Sequence, residues 1–152
     1  MTCFRLFDRT PMSTRPSYKT FVVERSVAAP RAEVWRSLLE LVGAAGYAVE
    51  GDPAPHGPGA TLAFRLGDYD LVEQTLSLEE PWRRCYALTS GAPVALYQGT
   101  TTIRDDGPTC LLVWSYLADP GAHEGAVAFL DRAQEALRTA TERVARAAEA
   151  TT

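Results

Sequence analysis

One glutamate, two arginines and several tyrosines fall in runs whose residues alternate as β-strands do. Glu73 lies in "LVEQTLSL", Arg65 in "ATLAFRLG", Arg84 and Tyr86 in "WRRCYALT", and Tyr97 in "VALYQGTTTIR". A carboxylate taken out of water is disfavoured in its charged form, so an inward-facing Glu73 would have its pKa raised toward the range of a general base near neutral pH. Arg65 or Arg84 and the hydroxyls of Tyr86 and Tyr97 could hydrogen-bond a developing enolate oxygen. Together these groups suit removal of a proton beside a carbonyl. The plainer reading is a buried Glu–Arg or Glu–Tyr pair, or a charge left at a solvated edge. An unpaired buried carboxylate would be costly or would take up a proton.

Other chemistries lack their residues. His56 in "APHGPG" and His123 in "PGAHEG" sit in loops without a Cys, His or carboxylate at metal-ligand spacing, so neither a metal nor another cofactor is expected. The cysteines Cys3, Cys85 and Cys110 are odd in number and widely spaced, which fits reduced thiols and a cytoplasmic location better than a disulfide framework. Cys85 and Cys110 read as small apolar residues on strands. No G-x-S-x-G motif supports hydrolysis, and Gly43 and Gly46 follow a helix instead of a strand, so they form no dinucleotide fingerprint.

With 15 Lys and Arg against 19 Asp and Glu the net charge is −4, and the basic footprint of a nucleic-acid binder is missing. Anionic membranes are poor partners for the same reason. No run approaches the ~20 apolar residues of a membrane span, so insertion is not expected. The leading stretch "MTCFRLFDRTPMSTRPS" has basic residues but no apolar segment of the signal-peptide kind. Residues 1 to 17 are expected to form a flexible tail, with Met12 an alternative start, and residues 18 to 149 a single domain. The oligomeric state is not legible.

The elements that must position the candidate residues follow from periodicity. "SYKTFVVERSVAAP" places Phe21, Val23 and Val27 on one strand face. Pro30 suits the first turn of a helix whose stripe is Val34, Trp35, Leu38, Leu39 and Val42, ended by Gly43 and Gly46. From Ala48 to Gly59, "AVEGDPAPHGPG" reads as a short strand and a loop, and further strands then alternate with tight turns, suggesting one antiparallel meander of six or seven strands. After Gly125, Leu130, Ala133, Leu137, Ala140, Val144 and Ala148 recur every three or four residues, which predicts a helix of ~25 residues. Its arginines Arg132, Arg138, Arg143 and Arg146 read as a solvated face. A curved sheet with one apolar face buries itself and this helix together when the helix lies in the concavity.

Turn chemistry refines the faces. If Asp106 and Gly107 form a hairpin turn, Tyr97 lies opposite Tyr116, Gly99 opposite Trp114 and Thr101 opposite Leu112, all on one face. A glycine opposite the largest side chain suggests a space there. Pairing Thr89 with Val94 across "SGAP" sets Tyr86 opposite Tyr97 and puts Trp82, Arg84, Tyr86 and Leu88 on the inner face. For the preceding strand, a three-residue "EEP" loop points Val72, Gln74, Leu76 and Leu78 inward, whereas one more residue brings Glu73 inside; a β-bulge would reconcile the two.

Three stretches carry a resemblance to the START-like, helix-grip superfamily, including its polyketide cyclase/dehydrase-type members: "VAAPRAEVWRSLLEL", "LVEQTLSLEEPWRRCYAL" and "ALYQGTTTIRDDGPTCLLVWSYLADP". The resemblance covers residues 18 to 149. It implies an α+β helix-grip fold, a curved antiparallel sheet wrapped around a long C-terminal helix, with a cavity between them. In the family's hormone receptors, the positions that match Glu73, Tyr97, Gly99, Trp114 and Phe129 line the ligand cavity. The chain departs from those receptors, with "GAPVALY" where their His-Arg-Leu latch would stand, and has "GAAGYAVEGDP" where many cyclase-like relatives carry a Trp.

The leading expectation is binding of a small hydrophobic molecule, a lipid or polyketide-like aromatic. Arg84, Tyr86, Tyr97, Gly99, Leu112, Trp114, Tyr116, Phe129, Ala133 and Leu137 would line its cavity. The alternative is a polyketide cyclase or dehydratase with Glu73 as base and Arg65 as donor. A third is a regulatory module with a collapsed cavity, against which the polar outward residues Gln98, Thr100 and Thr102 weigh.

Overall fold

The computed structural model describes residues 15–44, 48–50 and 57–152. Cys3, Met12, Gly46, His56, most of the expected tail and residues 51–56 of the 48–59 stretch lie outside the described residues. The order is β1 (Lys19–Val27), α1 (Arg31–Ala44), β2 (Ala48–Glu50), β3 (Thr61–Leu66), β4 (Tyr69–Glu79), β5 (Arg83–Ser90), β6 (Leu96–Asp106), β7 (Thr109–Asp119) and α2 (Ala126–Glu149). The strands form one seven-stranded sheet in the order β1-β7-β6-β5-β4-β3-β2, with antiparallel neighbours. The meander therefore runs from β2 to β7. β1 stands outside it, closing the other edge against β7, where Phe21 faces Tyr116 and Val23 faces Trp114.

Each helix buries most of the stripe its periodicity predicts, with Leu39 of α1 half-buried. In α1, Val34, Trp35, Leu38 and Val42 are buried. Pro30 stands just before the first turn, its carbonyl accepting from the amides of Glu33 (3.0 Å) and Val34 (3.2 Å). The 24 residues of α2 bury Phe129, Leu130, Ala133, Leu137, Val144 and Ala148, while Ala140 is only half-buried. From β1, Arg25 reaches Glu142 (3.1 Å) and Glu149 (3.3 Å), which ties the far end of α2 to the sheet edge. No described helix is long and apolar enough to cross a membrane.

Two registers differ from the sequence expectation. Asp106 pairs with Thr109, so the β6–β7 loop is Gly107-Pro108, and Gly107 supplies the left-handed φ of +63°. Proline has no N–H to give a ladder, and this loop keeps Pro108 out of it; the Asp106-Gly107 turn would have placed it inside. The shift is two residues, so the same side chains face inward with new partners. Gly99 lies opposite Tyr116, Trp114 opposite Thr101 and Ile103 opposite Leu112. The β5–β6 pairing slides likewise, setting Tyr86 opposite Gly99 instead of Tyr97.

On β4 a bulge resolves the two alternatives. Glu73 pairs with Leu88 and Thr75 with Tyr86, the pairing then jumps from Thr75 to Ser77, and Leu78 meets Arg84. Leu76, the extra residue, is exposed. Leu71, Glu73 and Thr75 thus point inward before the bulge, and Leu78 packs on the core after it. Trp82, expected on the inner face, lies in the β4–β5 turn with the Arg31 guanidinium 3.3 Å above its ring.

Candidate functional site

A cavity of about 420 Å³ opens between the inner face of the sheet and α2. Phe64 on β3, Leu71 and Glu73 on β4, Arg84, Tyr86 and Leu88 on β5, Tyr97 on β6 and Trp114 on β7 form its sheet wall. α2 faces them with Phe129, Ala133, Ala136, Leu137 and Ala140, and α1 adds Leu41 and Val42. A helix presents a continuous stripe at spacings of three and four. Where that stripe carries alanines, the facing sheet is left uncovered.

The inner end is polar. Arg84 Nη2 donates to Glu73 Oε1, and the same nitrogen is 3.4 Å from Thr75 Oγ1. The two side chains are 1% and 11% exposed. Desolvating both charges is costly, and their attraction plus further hydrogen bonds must offset it. That offset is incomplete, because Arg84 Nε is buried with no hydrogen-bond partner among the described residues, as is the hydroxyl of Thr101, the residue opposite Arg84. Buried polar groups are normally satisfied, so an N–H left over beside a cavity marks a place for an acceptor from outside the chain. The guanidinium also lies 4.8 Å from the centre of the Tyr86 ring.

The glycine opposite Tyr86 explains how the aromatic wall closes. A Cβ on Gly99 would overlap the Tyr86 phenol, so the glycine admits that ring. Tyr86 is thereby placed to accept a hydrogen bond from Trp114 Nε1 at 2.9 Å. The space expected beside Gly99 is filled; the cavity lies on the α2 side of this packing. Burial, then the nearby Glu73 carboxylate, raises the pKa of Tyr86 above the ordinary phenol value, and burial and the Tyr86 hydroxyl raise that of Tyr97. Both remain neutral at physiological pH and keep a hydroxyl proton to donate.

Of the residues expected at the site, Glu73, Arg84, Tyr86, Tyr97, Trp114, Phe129, Ala133 and Leu137 border the cavity. Arg65 borders only its mouth; its side chain is 68% exposed and pairs with Asp70 at 3.5 Å, so the partner of Glu73 is Arg84 instead. Leu112 is enclosed in the core opposite Ile103. Tyr116 packs 4.9 Å from Tyr97, centre to centre, and its hydroxyl accepts from Gln134 Nε2 at 3.0 Å. Neither Leu112 nor Tyr116 is among the lining residues.

Arg132 and Arg143, read from the sequence as solvated, border the mouth. The signal was a helical stripe, Arg132, Ala136, Thr139, Ala140 and Arg143, in which small residues lie between two arginines. Cys110 is buried and its thiol pKa is raised by burial, while Cys85 lies 3.7 Å from the Thr100 hydroxyl. No cluster of potential metal ligands occurs among the described residues.

A family model described as polyketide cyclase/dehydrase and lipid transport matches residues 19–149. No curated protein matches the chain. Among solved structures, a point mutant of norcoclaurine synthase from Thalictrum flavum, in complex with a transition-state analogue, superposes with a TM-score of 0.69 at 16% identity, covering 92% of this chain and 100% of that one. A Thermobifida fusca protein solved by NMR gives 0.65 at 24% identity, covering 84% and 94%. The di-domain ARO/CYC BexL from the BE-7585A biosynthetic pathway gives 0.62 at 15%, covering 87% of this chain and 49% of that one. At such identities the likeness to solved structures is one of fold.

Proposed function

We propose that this chain, which belongs to the polyketide cyclase/dehydrase and lipid transport family, binds a small and largely apolar molecule between its sheet and α2. A polar oxygen of that molecule would lie at the inner end, beside Glu73 and Arg84. The observation that carries this reading is the unpartnered Arg84 Nε next to a cavity of about 420 Å³ whose other walls are mostly aromatic and aliphatic. Ligand sites have this composition, an apolar enclosure with a few placed polar groups. Native mass spectrometry of the purified protein should find a co-purifying small molecule. An uncharged fluorescent probe such as N-phenyl-1-naphthylamine should bind, and Ala136→Leu, which fills the space, should weaken it about tenfold, the loss of roughly 1.4 kcal/mol. Unchanged probe binding in that variant would remove the cavity from consideration.

One feature favours a second reading, a polyketide cyclase or dehydratase: a carboxylate, a guanidinium and a phenol border the same space. In that reading Glu73 takes the acidic α-proton of a β-dicarbonyl, and the enolate oxygen accepts from Arg84. The carbon then bonds to a second carbonyl of the same molecule, and the new alkoxide recovers the proton from Glu73. No co-reactant is needed, and later loss of water would leave the ring unsaturated. Glu73→Gln should abolish product formation from a poly-β-ketone thioester while probe binding stays within about tenfold. Full turnover by the variant would sink the assignment.

A further inference from the structure

We infer that the cavity mouth is an anion subsite and that the bound molecule is an apolar carboxylic acid with its carboxylate outermost, an inference that rests on the ligand-binding reading above. The mouth is bordered by Arg65, Arg132 and Arg143 against a single acidic residue, Glu135, in a chain of net charge −4. This local positive excess runs against the composition. Glu135 already has Arg138 at 3.6 Å and Arg65 has Asp70 at 3.5 Å, whereas neither Arg132 nor Arg143 has an ion-pair partner among the described residues.

Arg132 and Arg143 are eleven residues apart on α2, roughly 16 Å along the axis, too far to share one carboxylate. Arg132 is the better placed. Its guanidinium lies against Gly67 in the β3–β4 turn, where a Cβ would come within 3.0 Å of Arg132 Cζ. Arg65, two residues before Gly67, is paired with Asp70, which leaves the charge at that end of the opening to Arg132. The planar guanidinium matches a carboxylate, and at the mouth the anion keeps part of its hydration. The inner end is a poor place for a second anion, because the Glu73 carboxylate already occupies Arg84 Nη2. The two ends thus select an orientation, with a neutral oxygen inside and the charged group outside.

The test is displacement of N-phenyl-1-naphthylamine at neutral pH by decanoate and by decanol, which share a chain and differ in charge. In the unsubstituted protein decanoate should displace the probe at about one tenth the concentration of decanol, although decanol is the more apolar. Arg132→Gln should bring the two within about twofold and leave decanol unchanged, which also reports that the variant is folded. Arg104→Gln, an equal charge change on β6 away from the mouth, should keep the preference for the acid. Equal displacement in the unsubstituted protein, or a preference that survives in Arg132→Gln, would overturn the subsite and leave the cavity reading intact. A probe that does not bind at all would overturn the cavity reading first.

Discussion

Two halves of the same concave face are built differently. Toward β6 and β7, Tyr86, Tyr97, Trp114 and Tyr116 interlock, with Gly99 admitting the Tyr86 ring and a Trp114–Tyr86 hydrogen bond closing the packing. Toward β3 and β4 the facing helix offers Ala133, Ala136 and Ala140, and the space stays open. Aromatic side chains are common to both, so they do not make the cavity. Interiors pack to near-crystalline density unless opposing surfaces fail to reach one another, and here the short side chains of α2 fail to reach β3 and β4. The Glu73–Arg84 pair stands at the boundary between the halves.

The sharpest way to break this arrangement is to break the pair. Arg84→Ala leaves the Glu73 carboxylate buried without its cation and should cost about 3–5 kcal/mol in a urea unfolding experiment, while Arg84→Met with Glu73→Leu should recover most of that loss. Recovery would mean that the pair is kept for its chemistry and not for stability. A loss below about 1 kcal/mol in the single variant would mean that the carboxylate reaches water.

The closed half should resist any added volume. Gly99→Ala forces a methyl into the Tyr86 ring and should destabilise by about 1–3 kcal/mol, whereas Gly99→Ala with Tyr86→Leu should regain part of it. A silent Gly99→Ala would show that the ring has room to retreat toward the cavity, making the two halves one deformable space.

Alkaline pH separates the halves more gently. Tyr86 and Tyr97 have folded-state pKa values raised by burial, above the ordinary 10.0 that the unfolded chain approaches. Stability from these groups is therefore complete below about pH 10 and falls above it, as the unfolded chain releases phenolic protons that the folded one retains. Each tyrosine contributes a slope of about 1.4 kcal/mol per pH unit at most. Unfolding followed from pH 8 to 11 should show this decline, and Tyr97→Phe should lessen it. An identical slope in the variant would contradict the enclosure of Tyr97.

Much of the fold was legible because alternation and helical spacing survive small errors. Moving the β6–β7 turn by one residue slid the pairing by two and changed the cross-strand partners of Gly99 and Trp114, yet kept both on the inner face. The candidate site was legible to the same depth: Arg84, Tyr86 and Tyr97 could be named as inward groups, but not which of them touch, and the length of the "EEP" loop left Glu73 on either face. Arg65 looked as good a partner for Glu73 as Arg84, since both are strand arginines, and Arg132 looked like any solvated helix charge.

The sequence by itself determined the order of elements, the apolar stripe of α2 and the alternation of faces along each strand, because these are periodic properties read within one segment. Only the tertiary structure decided that Gly107-Pro108 forms the turn, that Leu76 bulges out so that Glu73 and Leu78 both point inward, and that Tyr86 fills the place beside Gly99. Each of these depends on how two segments meet. Register is a relation between strands, and a cavity is a relation between a sheet and the helix that does not quite fill it, so neither is carried by one stretch of chain.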